Sequence, residues 1–326
     1  MDMLTTGAVA RLRRPAAPDG AAPAQRAHDL ERSLLQRELG DRFEIVRRLG
    51  RGGMGSVYLA RERDLHRHVA IKVLRGDLVG REDARERFRR EARLGAQLEH
   101  PGIVPVYAFG ETARAVYIVM RFVSGESLGE RLRREHHVAP EAARAILAQL
   151  ADALEYAHAH GVVHRDLTPG NVLLDRETGR AMLADFGVAR RRTWDPHSSE
   201  LRRAFGTPHF MSPEQTLGEA DLDGRSDIYG LGVLAFLMLT GRVPFDGDTF
   251  EAVAAGHLTA VAPRLSAPGV SRAFADVVGR CLEKDPARRW RRAGDLALVL
   301  ADVGLPWWCR LVRGSGIRRG AGYMRR

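Results

Sequence analysis

Residues 164–171 read His-Arg-Asp-Leu-Thr-Pro-Gly-Asn, and residues 185–187 read Asp-Phe-Gly. The two motifs combine a carboxylate, Asp166, with an amide, Asn171, and with a second carboxylate, Asp185. One carboxylate can accept the proton of a hydroxyl group, while an amide oxygen and a second carboxylate are suitable ligands for a divalent cation. The motifs therefore predict a polar site with a proton acceptor beside a metal ion.

A glycine-dense stretch lies upstream of these motifs. Glycines stand at the first, third and sixth positions of Gly50-Arg51-Gly52-Gly53-Met54-Gly55-Ser56-Val57. This spacing lets the backbone approach phosphate groups closely, but it also occurs in dinucleotide sites, where a helix follows the glycines. Here a predicted strand around residues 57–59 follows instead. The pattern favours a glycine-rich hairpin folded over a nucleotide.

A lysine follows one strand later. Lys72 belongs to the apolar segment Val69-Ala70-Ile71-Lys72-Val73-Leu74, where an ammonium group can hold phosphate oxygens as a point charge. A lysine in that position needs an acidic partner to stay oriented. The amphipathic segment 82–99 offers Glu91, with Glu86 as an alternative. In this order, the glycines, the lysine and the two acidic motifs predict phosphoryl transfer.

The pattern of apolar residues divides the chain into a strand-rich part and a helical part. An amphipathic helix is predicted over 82–99 and a long helix over 142–160, closed by Gly161. The apolar run 228–240 is too short for a membrane span and predicts a buried helix. Strands are predicted near residues 43–46, 57–59, 69–74, 104–107, 116–120, 172–174 and 181–183. We therefore expect an α+β fold with the sheet first.

These motifs resemble those of the eukaryotic-type (Hanks-type) serine/threonine protein kinases of bacteria, over about residues 41–303. The resemblance implies the two-lobed protein-kinase fold. Its N-lobe, about residues 41–123, is a small antiparallel β-sheet plus one helix, and its C-lobe, about residues 124–303, is larger and mainly α-helical. Residues 1–40 are expected to form a flexible Ala/Pro/Arg-rich segment, in which a short helix over 30–39 is possible. Residues 304–326 form a basic, tryptophan-containing tail.

The implied activity is transfer of the γ-phosphate of Mg-ATP to Ser or Thr hydroxyls of proteins, with autophosphorylation of the activation segment. By resemblance, Asp166 is the base or the group that orients the hydroxyl. Lys72 contacts the α- and β-phosphates and pairs with Glu91, and Asn171 and Asp185 bind Mg²⁺. Met120 resembles the gatekeeper, and residues 121–123 the hinge. The residues implied to bind the cofactor are Leu49, Gly50, Arg51, Gly52, Gly53, Met54, Gly55, Val57, Ala70, Lys72, Glu91, Met120, Val123, Asn171 and Asp185.

Other residues are implied to be architectural. Glu214, which ends the substrate-facing loop 206–214, is expected to pair with Arg289, and Asp227 is expected to anchor the 164–171 loop. His164 is interpreted as a packed core residue. Arg165 resembles the arginine that receives an activation-segment phosphate. The candidates for that phosphate are Thr193, Ser198, Ser199 and Thr207.

Two positions depart from the family pattern. Thr168 stands where lysine is usual, two residues after Asp166, and is counted with Asp166 and Lys72 among the catalytic residues. A hydroxyl donates a hydrogen bond but carries no charge, so we expect slower turnover unless an arginine compensates. Arg121 stands where an acidic residue is common. Hinge contacts to adenine use backbone atoms, so we expect ATP binding to persist.

Composition favours a cytoplasmic protein. The net charge is +10 and the pI about 10.4, but no nucleic-acid-binding motif accompanies the charge, and nucleic acid is not expected as a partner. The two cysteines make no metal or disulfide pattern, which fits a reducing compartment. The segment 305–309, ahead of the arginine-rich end, suggests either peripheral contact with an anionic membrane or partner, or tryptophans packed on the C-lobe.

Two alternative functions remain at this point. A pseudokinase-like scaffold, or a very slow kinase, draws support from Thr168 alone, because Lys72, Asp166, Asn171 and Asp185 are all present. A small-molecule phosphotransferase of related fold is disfavoured by the protein-substrate type of loop at 206–214.

Overall fold

The computed structural model describes residues 23–186 and 208–302, with side chains described from residue 29 onward. Its larger sheet is antiparallel, with strand order β1-β2-β3-β5-β4. The strands are β1 (Phe43–Arg51), β2 (Gly55–Glu62), β3 (Arg67–Leu74), β4 (Val106–Glu111) and β5 (Val116–Arg121). The sheet confirms the predicted N-lobe, since its strands fall on the runs of β-branched and aromatic residues.

The two faces of this sheet contribute to different apolar clusters. Side chains alternate along a strand, so residues directly opposite in neighbouring strands share a face. Tyr58 lies opposite Ile71, and both belong to an apolar cluster on the outer face. Val57 lies opposite Lys72 on the other face, which looks into the cleft between the lobes. The hairpin of β1 and β2 therefore has an apolar back and a cleft-facing front.

The outer face is covered by a helix, α1 (Pro23–Leu39). The sequence suggested a flexible segment over 1–40 in which a short helix over 30–39 is possible, and within residues 23–39 this expectation is corrected by the structure. Leu35 and Leu39 are one turn apart and are both buried against the sheet. Pro23 suits the first helical position because it lacks only a hydrogen bond that a helix start does not need. Tertiary burial, rather than composition, decides the state of this segment.

The N-lobe also contains α2 (Gly76–Val79) and α3 (Glu82–Gly95). Helix α3 is the predicted amphipathic helix, and it ends before residue 99. Its apolar side buries Phe88 and Ala92 in the cleft-side cluster of the sheet. The same side carries Glu91, so packing of this helix fixes where that carboxylate points.

The C-lobe is built around two long helices, α5 (Pro140–Ala159) and α7 (Gly224–Thr240). Nearly every residue of α7 is buried, which confirms the helix predicted from the apolar run 228–240. A small antiparallel sheet of β6 (Gly125–Ser127), β7 (Val172–Asp175) and β8 (Ala181–Leu183) lies at the cleft. The remaining helices are α4 (Leu128–Glu135), α6 (Pro213–Thr216), α8 (Phe250–Thr259), α9 (Arg272–Cys281) and α10 (Ala293–Asp302).

The α+β class and the two-lobed arrangement are as the sequence predicted. Strand β6 was not predicted, because three residues are too few to show an alternating pattern. Among the helices within residues 23–186 and 208–302, none combines the length and apolar character that crossing a membrane requires.

Two leucines of α1 test whether this helix is part of the folded N-lobe. Leu35 is 1% exposed and Leu30 is 72% exposed. We expect Leu35→Ala to lower the free energy of unfolding by about 2–5 kcal/mol, because it leaves a cavity against the sheet. Leu30→Ala should change it by no more than about 0.5 kcal/mol. Urea unfolding of both variants measures the difference, and equal effects would contradict the docking of α1.

Candidate active site

Lys72 lies at the centre of a buried charge cluster between the sheet and α3. Its Nζ is 2.6 Å from Glu91 Oε1 and 2.9 Å from Asp185 Oδ1. Burial alone would lower the pKa of Lys72, but the carboxylates of Asp185 and Glu91 outweigh it and raise that pKa above its usual value. Glu86, the alternative partner, lies at the surface and contacts Arg89 instead. The lysine is thus a fixed cation that faces the cleft.

The loop 164–171 brings Asp166 and Asn171 together. Asn171 ends a short 3₁₀ turn, Pro169–Asn171, and its Nδ2 donates to the backbone oxygen of Asp166 at 2.8 Å and to Asp166 Oδ2 at 3.1 Å. The backbone oxygen of Asn171 accepts from Ala184 N at 2.9 Å, which ties the loop to the residue before Asp185. Because both amide hydrogens of Asn171 face Asp166, its amide oxygen is directed away from that carboxylate.

A buried carboxylate in α7 holds the loop from below. Asp227 Oδ2 accepts from His164 N and Asp227 Oδ1 accepts from Arg165 N, both at 2.8 Å. Arg165 has a φ of +65°, a left-handed conformation that costs a non-glycine residue free energy and needs such outside support. Burial alone would raise the pKa of Asp227, but its bond to His158 Nε2 at 2.7 Å and the two backbone donors lower it. Asp227 is therefore an ionised, buried anchor for this loop within the C-lobe.

His164 is part of the packing beneath the site. It is fully buried, its Nε2 lies 3.1 Å from the backbone oxygen of Ala184, and its ring contacts Phe186 at 4.6 Å between centroids. Burial lowers the pKa of His164, so the neutral ring is favoured. These contacts support its interpretation as a core residue.

The glycine hairpin closes above the cleft. Gly52 N donates to the backbone oxygen of Gly55 at 2.7 Å, and Arg75 N donates to that of Met54 at 2.9 Å. A Cβ atom at Gly55 would lie 1.8 Å from the backbone oxygen of Val73, so no other residue fits there. The tip of the hairpin, residues 51–53, is exposed.

Comparison with known proteins agrees with this geometry. A family described as "Protein kinase domain" matches residues 43–296. The chain belongs to the protein kinase family. Similar proteins include serine/threonine-protein kinase pkn2 of Myxococcus xanthus, which is 43% identical over 271 residues, covering 81% of this chain and 32% of the relative. PrkC of Bacillus subtilis is 38% identical over 267 residues, with coverages of 81% and 40%. PknJ of Mycobacterium tuberculosis is 41% identical over 266 residues, with coverages of 79% and 45%. The chain thus spans about a third to just under half the length of these relatives.

The apolar residues predicted to line the nucleotide site of this kinase lie in one cluster. Leu49, Val57, Ala70, Met120 and Val123 pack together on the cleft side of the sheet. Three C-lobe residues, Leu173, Met182 and Ala184, complete the cluster from the segment after the 164–171 loop and were missed in the sequence. Because side chains alternate along a strand, Leu173, two residues after Asn171, could have been predicted to lie on the same side of β7 as Asn171.

Thr168 shows no substitute for the missing lysine of the kinase pattern. Its side chain is partly exposed beside Asp166. In residues 23–186 and 208–302, no arginine is hydrogen-bonded to its hydroxyl. No compensating arginine is therefore found among the described residues, and slower turnover stays the prediction.

Arg121, the second departure from the pattern, connects the two lobes of the kinase. It ends β5, and its Nη2 lies 3.1 Å from Asp175 Oδ2 at the end of β7. The Asp175 side chain is 2% exposed, whereas that of Arg121 is 38% exposed. An acidic residue at 121, as is common in the family, would face a buried carboxylate here.

The predicted architectural pair of the kinase is also present. Arg289 is fully buried, and its two terminal nitrogens donate to Glu214 Oε1 at 2.6 Å and Oε2 at 2.9 Å. Its remaining donors reach backbone oxygens, including those of Glu283 and Arg225. Several residues that the sequence analysis singled out lie outside the described residues: Gly187, Thr193, Ser198, Ser199, Thr207 and the tail 304–326.

Charge reversal tests the link between the lobes. Arg121→Glu should lower the thermal midpoint more than Arg121→Gln does, because it sets two carboxylates against each other. We expect a cost of about 1–2 kcal/mol, since Arg121 is only half buried. Adding Asp175→Asn to Arg121→Glu should recover most of the loss, as thermal denaturation would show. Equal midpoints for Arg121→Glu and Arg121→Gln would contradict the pairing.

Proposed function

We propose that this chain is a serine/threonine protein kinase that transfers the γ-phosphate of Mg-ATP to hydroxyls of proteins. One observation carries the proposal. Lys72, held by Glu91 and Asp185, faces the same cleft as the hydrogen-bonded pair Asp166 and Asn171. A fixed cation, a proton acceptor and a pair of oxygen ligands are the groups that phosphoryl transfer requires. The three relatives named above are all serine/threonine-protein kinases, which supports the same class of activity for this chain.

The nucleotide would lie beneath the glycine hairpin. The adenine would pack among Leu49, Val57, Ala70, Met120 and Val123, and its edge would meet backbone atoms of the hinge 121–123. The phosphates would lie under residues 50–55, where the backbone is accessible. Lys72 would hold the α- and β-phosphates, since Glu91 fixes the direction of its ammonium group.

The donor set suits Mg²⁺. Asn171 and Asp185 supply an amide oxygen and a carboxylate, and Mg²⁺ in kinases takes its other ligands from phosphates and water. In residues 23–186 and 208–302, no group of three or more His, Cys, Asp or Glu could hold a metal ion by itself. A bound Mg²⁺ supplies neutralisation of phosphate charge. The protein's own part is to present these two oxygens at the edge of the cleft.

Asp166 would act on the substrate hydroxyl. Its carboxylate would orient the serine or threonine oxygen and accept its proton as the bond to the γ-phosphorus forms. The bond from that phosphorus to the bridging oxygen of ADP breaks in the same in-line displacement. Thr168 would donate a neutral hydrogen bond to the γ-phosphate, which stabilises the developing charge less than an ammonium group does.

Apart from Thr168, no described residue favours the pseudokinase alternative. Each of the four polar residues that such scaffolds tend to lose is present, and the contacts among them are formed. We further propose that the activation segment is autophosphorylated, with the hydroxyls at 193, 198, 199 and 207 as the candidate sites. A cytoplasmic location and contact of the basic tail with an anionic surface stay predictions from the sequence.

Phosphate transfer with a matched variant tests the proposal. The native chain should transfer labelled γ-phosphate to itself and to a generic basic protein, with phosphoserine or phosphothreonine as the product. Asp166→Asn should lose about 100-fold or more of that rate. It should still bind Mg-ATP, because Lys72, Asn171 and Asp185 are unchanged. Absence of transfer by a native chain that binds Mg-ATP would move the assignment to a scaffold.

Position 168 offers a gain-of-function test. Thr168→Lys restores a cation beside the γ-phosphate, so kcat should rise or stay the same. The missing charged donor corresponds to about 2–4 kcal/mol of transition-state stabilisation in comparable sites. Steady-state kinetics with saturating ATP and protein substrate measures kcat, and Thr168→Ser serves as the uncharged control. A large fall in kcat for Thr168→Lys would refute the idea that the threonine limits turnover.

A further inference from the structure

Helix α1 lies ahead of the residues that match the kinase family, yet it contacts the strand that leaves the glycine hairpin. Glu31 Oε2 accepts hydrogen bonds from Ser56 Oγ at 3.1 Å and from Tyr58 OH at 2.9 Å. Ser56 directly follows the last glycine of the hairpin, Gly55. The contact therefore joins an element outside the family match to the ceiling of the proposed nucleotide site.

The register of the hairpin shows what this contact controls. Ser56 and Tyr58 point to the outer face, and Val57 between them points into the cleft. Arg51 and Ser56 are the last cross-strand pair before the turn. Glu31 thus fixes β2 from behind at the position where the hairpin turns over the cleft.

Both hydroxyls need an acceptor. Ser56 is 2% exposed and Tyr58 is fully buried, so water offers little replacement for the carboxylate. Burial raises the pKa of Tyr58, and the bond to Glu31 raises it further, so the phenol remains a hydrogen donor. Tyr58 also shares a hydrogen bond with Ser56, so loss of Glu31 would remove the acceptor that ties both hydroxyls to α1 and would release this end of β2 from the helix.

Glu31 is itself held by a well-fixed helix. One turn further along α1, Gln36 Oε1 accepts from Ile45 N at 2.8 Å and Gln36 Nε2 donates to the backbone oxygen of Phe43 at 3.2 Å. Arg32 donates to the backbone oxygen of Ile45. These bonds and the buried Leu35 and Leu39 clamp α1 to β1, so its carboxylate has a fixed position relative to both strands.

We propose that Glu31 is a positioning residue for ATP, which sets the closed position of the glycine hairpin by holding Ser56 and Tyr58. The proposal rests on the proposed kinase function. It extends the functional unit of this chain beyond the residues that match the family, because the glycines at 50–55 gain from α1 a restraint that their own backbone lacks.

The test measures the KM for ATP and kcat of the full chain. Glu31→Ala should raise the KM for ATP by about 3- to 10-fold, the loss expected for a charged hydrogen-bond acceptor, with a smaller change in kcat. Glu31→Gln keeps an acceptor oxygen and should recover at least half of that change on a logarithmic scale. Leu30→Ala, an exposed neighbour on the same helix, should leave both constants unchanged.

A second background separates positioning from general stability. In a chain carrying Ser56→Ala and Tyr58→Phe, the hydroxyls are absent, so adding Glu31→Ala should change the KM for ATP by less than about twofold. An equal rise in both backgrounds, or an unchanged KM in a folded Glu31→Ala chain, would overturn the proposal. If Glu31→Ala does not fold, the effect of Glu31→Gln on the KM for ATP is compared in the native chain and in the Ser56→Ala, Tyr58→Phe chain instead. A native chain that binds no ATP would overturn the kinase function first. Native ATP binding with unaffected Glu31 variants would overturn only the role of Glu31.

Discussion

The site depends on one buried carboxylate. Asp227 lies in α7, the most enclosed helix of the described C-lobe, and accepts both backbone N–H groups that begin the 164–171 loop. Without these acceptors, the left-handed backbone at Arg165 would relax, and Asp166 would lose its direction toward the cleft. The carboxylate remains ionised because His158 and the loop offset the cost of its burial. The polar loop 164–171 is thus held in place by a residue of a buried, mainly apolar helix.

The cleft lies between this rigid part of the C-lobe and the glycine hairpin of the N-lobe, whose position is set by side-chain contacts. Lys72 is joined to Glu91 on α3 and to Asp185 on the C-lobe, so one ammonium group connects the sheet, the helix and the C-lobe. The turn of the glycine hairpin is held by the bond between Gly52 and Gly55 and by two bonds from Arg75, to the backbone oxygens of Met54 and Gly53. Its strands take their position from α1 on the outer face, which explains why a segment outside the family match bears on the site.

The sequence predicted those features that depend on neighbours along the chain. The strands and the buried helix follow from periodicity, whereas the pairings of Lys72 with Glu91 and of Glu214 with Arg289 came from the resemblance to the kinase family. The contacts that it did not reveal join distant residues: Arg121 with Asp175, Glu31 with Ser56, and His158 with Asp227. Each depends on how elements pack in three dimensions, which periodicity does not encode. The length of helix α1 was underestimated for the same reason, since its proline and alanines are visible in the local sequence and the sheet that it covers is not.

The ion pair between Arg121 and Asp175 bears on how the two lobes would move during the proposed reaction. In the proposed kinase reaction the two lobes would part to release ADP, a step that limits turnover in many enzymes. Arg121 belongs to the N-lobe and Asp175, whose side chain is 2% exposed, belongs to the C-lobe, so their ion pair favours the closed arrangement of the lobes. Salt screens such a partly buried pair only weakly. The residence time of the nucleotide would therefore depend on the hinge as well as on the cleft.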